Sequence, residues 1–207
     1  MLFNSIEFFI FLPTVYILYW YLLNDKLNKQ NLLLLCSSYF FYGWWDWRFL
    51  SLIILSTSVD YMIGLKIHNS TSPRERLNYL KCSIFVNLMI LAIFKYFNFF
   101  IDSFIDLFNL FPFHDSETLT LNIILPIGIS FYTFQTMSYT IDIYFKKLQP
   151  TNSFICFACF VSFFPQLVAG PIERAKRLLP QILNSRVYSK NSLMLGLRLI
   201  LWGMFNK

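Results

Sequence analysis

Charge is scarce in this chain. Only 14% of its 207 residues are Asp, Glu, Lys or Arg, while 57% are hydrophobic; soluble domains carry about 25% charged and roughly 45–50% apolar residues. A water-soluble fold of this size has too little interior to hide so much apolar surface, and that class is excluded. Histidine is nearly absent, with two residues, and no Ser-His-Asp arrangement, paired-carboxylate site, phosphate loop or metal-ligand cluster can be assembled. The opening MLFNSIEFFIFLPTVYILYWYLL lacks a basic leader and a small-residue cleavage site, and its apolar run exceeds the ~7–15 residues of a signal-peptide core. It is expected to remain as the first membrane helix. No loop-based cysteine framework exists, since Cys36, Cys82, Cys156 and Cys159 all lie in or beside apolar runs, so no disulfide is expected. Cys156 and Cys159 spell C-x-x-C within FICFACFV. With no basic residue nearby to activate a thiol, they read as small buried residues. Internal repeats of the kind many transporters show are also missing.

What the chain has in quantity is apolar length. Runs bounded by polar loops predict an all-α polytopic membrane bundle forming a single integral membrane domain over 1–207, with segments at 3–23, 31–44, 49–66, 80–109, 121–145, 153–172 and 192–205. The cluster YGWWDW around Asp46 reads as an interfacial aromatic anchor. The net charge of +6 is spread through loops and forms no patch on one face, so nucleic acid is not an expected partner; the bilayer is. Thirteen of the 17 basic residues fall in the loops 24–31, 66–81, 145–152 and 173–190, whereas 110–120 has none. The basic loops are therefore expected in the cytoplasm and the amino terminus outside.

That count creates a difficulty at FFPQLVAGPIERAKRLLPQ. The loops before and after 153–172 are both assigned to the cytoplasm, yet one apolar run separates them. The run is expected to enter the membrane and return, turning at Pro165 and Gly170-Pro171. Irregular backbone at that depth must be satisfied by protein or by a wet cavity.

Asp60, Lys95, Asp142 and Arg198 sit inside apolar runs. Each is a functional candidate unless it reaches the interface, and Lys95, deepest of the four, is expected to pair with Asp60 or Asp142. On the segment 125–145, Phe131, Gln135, Ser138 and Asp142 fall on one helical stripe, with Tyr132, Thr136 and Tyr139 beside it. A polar lumen and interhelical hydrogen bonding both fit that pattern. His68 and His114, in loops, read as solvated, and Gly196 and Gly203 read as a close-packing face.

The opening MLFNSIEFFIFLP, then LPIGISFYTFQTMSYTIDIYF, then FFPQLVAGPIERAKRLLPQI and the closing GLRLILWGMFNK together resemble the N-terminal part of a membrane-bound O-acyltransferase, in the bacterial alginate O-acetyltransferase branch. The resemblance covers essentially the whole chain. It implies a multi-pass protein of the bacterial cytoplasmic (inner) membrane, built as a ring of helices around a thinned centre. A tunnel there would bring an acyl group from a cytoplasmic donor, acetyl-CoA or an acyl carrier as cosubstrate, to a hydroxyl of an envelope polysaccharide such as alginate. Periplasmic or extracellular acetyltransferase proteins are the implied partners, and no bound cofactor or metal is implied. Gln166, Gly170, Pro171, Glu173 and Arg174 match one family block and would shape the cytoplasmic mouth; Gln135, Ser138 and Asp142 match another and would line the channel. No catalytic residue is implied within the chain. The family's catalytic histidine is expected beyond Lys207, neither His68 nor His114 stands in its context, and residues 1–207 alone are expected to transfer no acyl group. A fragment, a truncated product and half of a split enzyme all fit, and a non-catalytic scaffold for polysaccharide modification, or less readily a transporter, stands as the alternative.

Overall fold

The computed structural model describes residues 3, 5–23, 26–96, 99–100, 103, 126, 128–167 and 170–206, and the described residues are helical with short connections. The expected outer loop 110–120, with His114, lies outside them. Helix α1 (Ile6–Ile17) starts where Ser5 Oγ accepts the Phe8 N–H at 3.3 Å and runs on through a π-helical turn, Leu18–Leu22. Next come α2 (Leu27–Asp46), α3 (Leu50–Asn69) and α4 (Pro73–Leu91), the last with Pro73 in its first turn and a π-helical extension, Ala92–Tyr96. Then follow α5 (Ile129–Tyr144), α6 (Phe154–Ser162), α7 (Phe164–Leu167), α8 (Ala175–Leu183) and α9 (Lys190–Phe205).

Two stretches, Leu27–Asn69 and Pro73–Tyr96, are long and apolar enough to cross a bilayer, and with the apolar surface around them they make this a membrane protein. The first has 43 residues, or about 65 Å of helix at 1.5 Å per residue, twice the depth of a ~30 Å core. It therefore has to turn. The turn falls at Asp46, whose backbone is extended and whose carboxylate accepts the Arg48 N–H at 3.0 Å and pairs with the Arg48 guanidinium at 2.7 Å. The tryptophan cluster expected at an interface sits at this turn. The expected short run 31–44 is corrected to a helix of 20 residues, because Lys26 to Gln30 joins it through a hydrogen bond from Gln30 N–H to the Lys26 carbonyl. Likewise α4 starts at Pro73, seven residues before the apolar run: its first turns are polar but helical.

The core lies where α3, α4 and α5 pack together, with α6 inserted against α2, α3, α5 and α8. Seven consecutive residues of α6, Cys156 to Ser162, are buried. Phe157 stacks at 4.3 Å between ring centroids on Tyr139, and both are fully enclosed. Lipid tails are as apolar as these side chains, so the gain here comes from dispersion contacts and not from escape from water. Gly64 makes the α3–α5 approach possible, since a Cβ there would stand 2.9 Å from the Tyr139 ring. Helix α8 buries Ala175, Leu179 and Ile182 on one face and exposes Lys176 and Arg177, the pattern of a helix lying along an interface.

Candidate functional site: a broken membrane segment and its polar supports

Helix α6 ends at Ser162 after nine residues, Phe163 leaves helical geometry (φ −54°, ψ 106°), and α7 adds only four. The two together are apolar but shorter than a span. In an unbroken helix the Phe164 N–H would bond the Phe160 carbonyl; here the pair is separated, and each finds a side chain. Ser38 Oγ of α2 accepts the Phe164 N–H at 3.2 Å, and Gln135 Nε2 of α5 donates to the Phe160 carbonyl at 2.7 Å. The break is thus a built feature, with these two freed backbone groups satisfied by side chains of neighbouring helices. Beyond it, Gln166 Nε2 donates to the Pro171 carbonyl at 2.9 Å, and the Gly170 N–H bonds the Gln166 carbonyl at 3.0 Å, folding the chain back on α7. Gly128, at the start of α5, abuts the same place. Its φ of +79° and the 2.8 Å that would separate a Cβ from the Leu167 carbonyl together require glycine.

A second polar group lies in the α3–α4–α5 core around Asp60, which is fully buried. Ser83 Oγ donates to Asp60 Oδ1 at 2.6 Å and Asn87 Nδ2 to Asp60 Oδ2 at 2.7 Å. Asn87 Oδ1 in turn accepts from Ser56 Oγ at 3.0 Å and from Thr136 Oγ1 at 3.3 Å, and Ser83 Oγ lies 3.0 Å from Thr140 Oγ1. All six side chains are buried. Each helix contributes a pair four residues apart: Ser56 and Asp60, Ser83 and Asn87, Thr136 and Thr140. That repeated spacing was the sequence signal for the node, and reading one helix at a time passes over it.

The predicted site residues therefore separate. Gln135 and Gln166 hold the broken segment. Ser138 is half-buried, and its Oγ donates to the Gln135 carbonyl of its own helix at 2.8 Å. Asp142 is half-buried near the end of α5, and no described residue bonds its carboxylate. Gly170 and Pro171 form the return. Glu173 faces Arg177 at 3.8 Å, and Arg174 is exposed just before α8. The stripe Phe131, Gln135, Ser138, Asp142 is not the buried polar face of α5. Tyr132, Thr133, Gln135, Thr136, Tyr139 and Thr140 are; Gln135, Thr136 and Thr140 make hydrogen-bonding contacts to other helices, while Tyr139 Oη accepts the Thr151 N–H at 3.2 Å from the loop before α6.

Lys95 pairs with neither Asp60 nor Asp142, contrary to expectation. It is exposed on the π-helical turn and lies over the Tyr96 ring at 5.5 Å, while Asp60 is already bonded by Ser83 and Asn87. Arg198 is exposed on α9. Gly196 and Gly203 pack against no described residue, since no atom stands within 4 Å of an added Cβ at either; α9 has no buried face there to bring close. His68 is exposed at the end of α3. Cys156 and Cys159 are buried: Asn31 Nδ2 donates to Cys156 Sγ at 3.4 Å, and Cys159 Sγ donates to the Asn31 carbonyl at 2.9 Å. The residue that sequence reasoning missed here is Arg186, whose Nη2 reaches Asn31 Oδ1 at 2.6 Å. It was one basic loop residue among five, and only tertiary structure sets it beside α2.

No family model matches the chain, and no solved structure matches it. Curated proteins do. The chain is 40% identical over 214 residues to the probable alginate O-acetylase AlgI of Pseudomonas putida, covering 100% of the chain and 42% of that protein. It is 40% identical over 212 residues to the same-named protein of Pseudomonas aeruginosa, covering 39% of it, and 33% identical over 236 residues to the peptidoglycan O-acetyltransferase of Helicobacter pylori, covering 44% of it. The chain spans about two fifths of the length of the curated relatives it matches. Over its whole length, this chain is similar to part of the bacterial alginate O-acetylases and of a peptidoglycan O-acetyltransferase.

Proposed function

We propose that this chain forms part of the membrane body of a bacterial O-acyltransferase that moves an acetyl or similar acyl group onto hydroxyls of a cell-envelope polysaccharide. The observation that carries this reading is the double match: the same residues align with proteins named for acetylating alginate and with one named for acetylating peptidoglycan. The polymer differs between those names; transfer of an acetyl group to a sugar hydroxyl is common to both.

On this reading the protein sits in the cytoplasmic membrane with its amino terminus outside, and 153–172 enters and leaves on the inner side. Gln166, Gly170, Pro171, Glu173 and Arg174 border the inner mouth. Gln135, with Ser38, keeps the broken segment open to a half-depth, so that a cytoplasmic thioester donor has a shorter path to cross. Ser138 and Asp142 belong to the wall of that path. When the acceptor oxygen attacks the acyl carbon, its proton passes to a general base and the donor thiol leaves. No residue of this chain is assigned as that base.

A chimera tests the proposal. The matching part of the Pseudomonas putida relative is replaced by residues 1–207 and expressed in cells lacking their own copy. The expected result is alginate bearing acetyl esters, while residues 1–207 expressed alone give none. A chimera that inserts and accumulates normally but leaves alginate unacetylated would overturn the assignment.

A further inference from the structure

Arg186 is held rigidly and left half-used. Nη2 donates to Asn31 Oδ1 at 2.6 Å and to the Ile182 carbonyl at 3.1 Å, Nε donates to the Gln181 carbonyl at 3.1 Å, and the guanidinium lies over the Tyr19 ring at 5.5 Å. Nη1 is buried with no partner among the described residues, and the two ion pairs found there, Asp46–Arg48 and Glu173–Arg177, do not involve Arg186. A buried positive charge with an idle donor is costly unless an anion completes it.

Beside this guanidinium opens a cavity of about 310 Å³, walled by Val15 of α1, Tyr19 of the π-helical turn after it, Leu34 of α2, Phe164 and Pro165 at the break, and Ile182 of α8. A second groove, of about 580 Å³, shares Leu12, Tyr16 and Trp20 with it and passes between α1 and α9 along Leu193, Gly196 and Ile200. From Trp20 to Leu12 is about 12 Å of helix, and from Ser189 to Ile200 about 16 Å. The combined shape has a charged end, at Arg186 in the first cavity, and an apolar body continuing into the second. Gly196 leaves the wall open, with no atom within 4 Å of an added Cβ.

We propose that this groove holds an anionic phospholipid, with a phosphate oxygen on Arg186 and one acyl chain between α1 and α9. Nη1 is the one guanidinium nitrogen left to donate to a phosphate oxygen, and the fixed charge favours a headgroup with net negative charge over a zwitterionic one. The apolar body selects a lipid over a soluble anion. The site is independent of any acyl transfer.

The test uses the purified 207-residue chain, delipidated in detergent, and native mass spectrometry with equimolar palmitoyl-oleoyl phosphatidylglycerol and phosphatidylcholine. Retention of phosphatidylglycerol is expected to exceed that of phosphatidylcholine about tenfold, because the choline cation of the latter offsets the phosphate charge beside the Arg186 guanidinium. Arg186→Gln should erase the preference. Gly196→Leu, which fills open space and leaves Arg186 in place, should lower retention of both lipids; it keeps the proposal testable if the Arg186 variant misfolds. Equal retention by the parent chain, a preference that survives Arg186→Gln, or unchanged retention in Gly196→Leu would overturn the proposal. Displacement of phosphatidylglycerol by equimolar glycerol 3-phosphate would reduce the site to a phosphate site, and exclusion of lipid by a dimer would give the groove to a second copy.

Discussion

Replacing Asn87 by Leu should unbalance the membrane core far more than one surface-scale hydrogen bond would. Asn87 joins three helices, donating to Asp60 Oδ2 at 2.7 Å and accepting from Ser56 at 3.0 Å and Thr136 at 3.3 Å. Interhelical hydrogen bonds in membrane proteins are worth about 0.6 kcal/mol each on average, so the loss of three removes about 2 kcal/mol. The Asp60 carboxylate is then left buried with Ser83 as its remaining donor, which adds about 1–3 kcal/mol for the unsatisfied oxygen. The expected total is about 3–5 kcal/mol. Leu keeps the branched heavy-atom skeleton of Asn but carries bulkier methyl groups, so no cavity opens and any packing cost comes from crowding. The penalty for an orphaned carboxylate vanishes when Asp60 is also replaced, so Asp60→Leu/Asn87→Leu should be less destabilised than the sum of its single variants by about 1–3 kcal/mol. Unfolding in mixed dodecyl maltoside–SDS micelles, followed by fluorescence of the five tryptophans, measures each corner of that cycle. An Asn87→Leu chain within about 0.5 kcal/mol of the parent, or a cycle additive to that margin, would refute the node as a coupled unit.

Four further substitutions probe other parts of the molecule. Ser38→Ala and Gln135→Leu each strand one backbone group of the Phe163 break and should cost about 1–3 kcal/mol, with faster amide exchange at Phe164 in the first; unchanged exchange would mean that Ser38 does not hold the break. Gly128→Ala forces a side chain into positive φ and against the Leu167 carbonyl, and should lower stability by about 1–3 kcal/mol in the same micelle titration. Lys95→Met removes an exposed cation with no acidic partner among the described residues and should stay within about 0.5 kcal/mol of the parent; a loss several times larger would restore the buried pair expected from the sequence.

Much of the fold was legible because apolar length and turn chemistry act locally. A turn at Pro165 and Gly170-Pro171 was legible, although the helix breaks two residues before that proline, at Phe163, and Asp60 stood out as a charge in an apolar run. What was not legible depends on separation in sequence. Ser38 and Phe164 are 126 residues apart, and Asn31 and Arg186 are 155 apart; nothing in either neighbourhood announces the other. Lys95 misled for a physical reason. Its flanks are apolar, but a π-helical turn sets its side chain on the outer surface, and Asn87, a neutral residue two turns earlier, takes the place beside Asp60 that a cation was expected to fill.

The account rests most heavily on α6 and α7 entering and leaving the membrane on one side. In a chain with its four native cysteines replaced, single cysteines inserted after Pro150 and after Ser189 can be labelled with a membrane-impermeant maleimide in intact and in opened cells. Both sites should react only once the cells are opened. If one reacts in intact cells and the other does not, the segment crosses the bilayer and the half-depth break cannot be the inner mouth of anything.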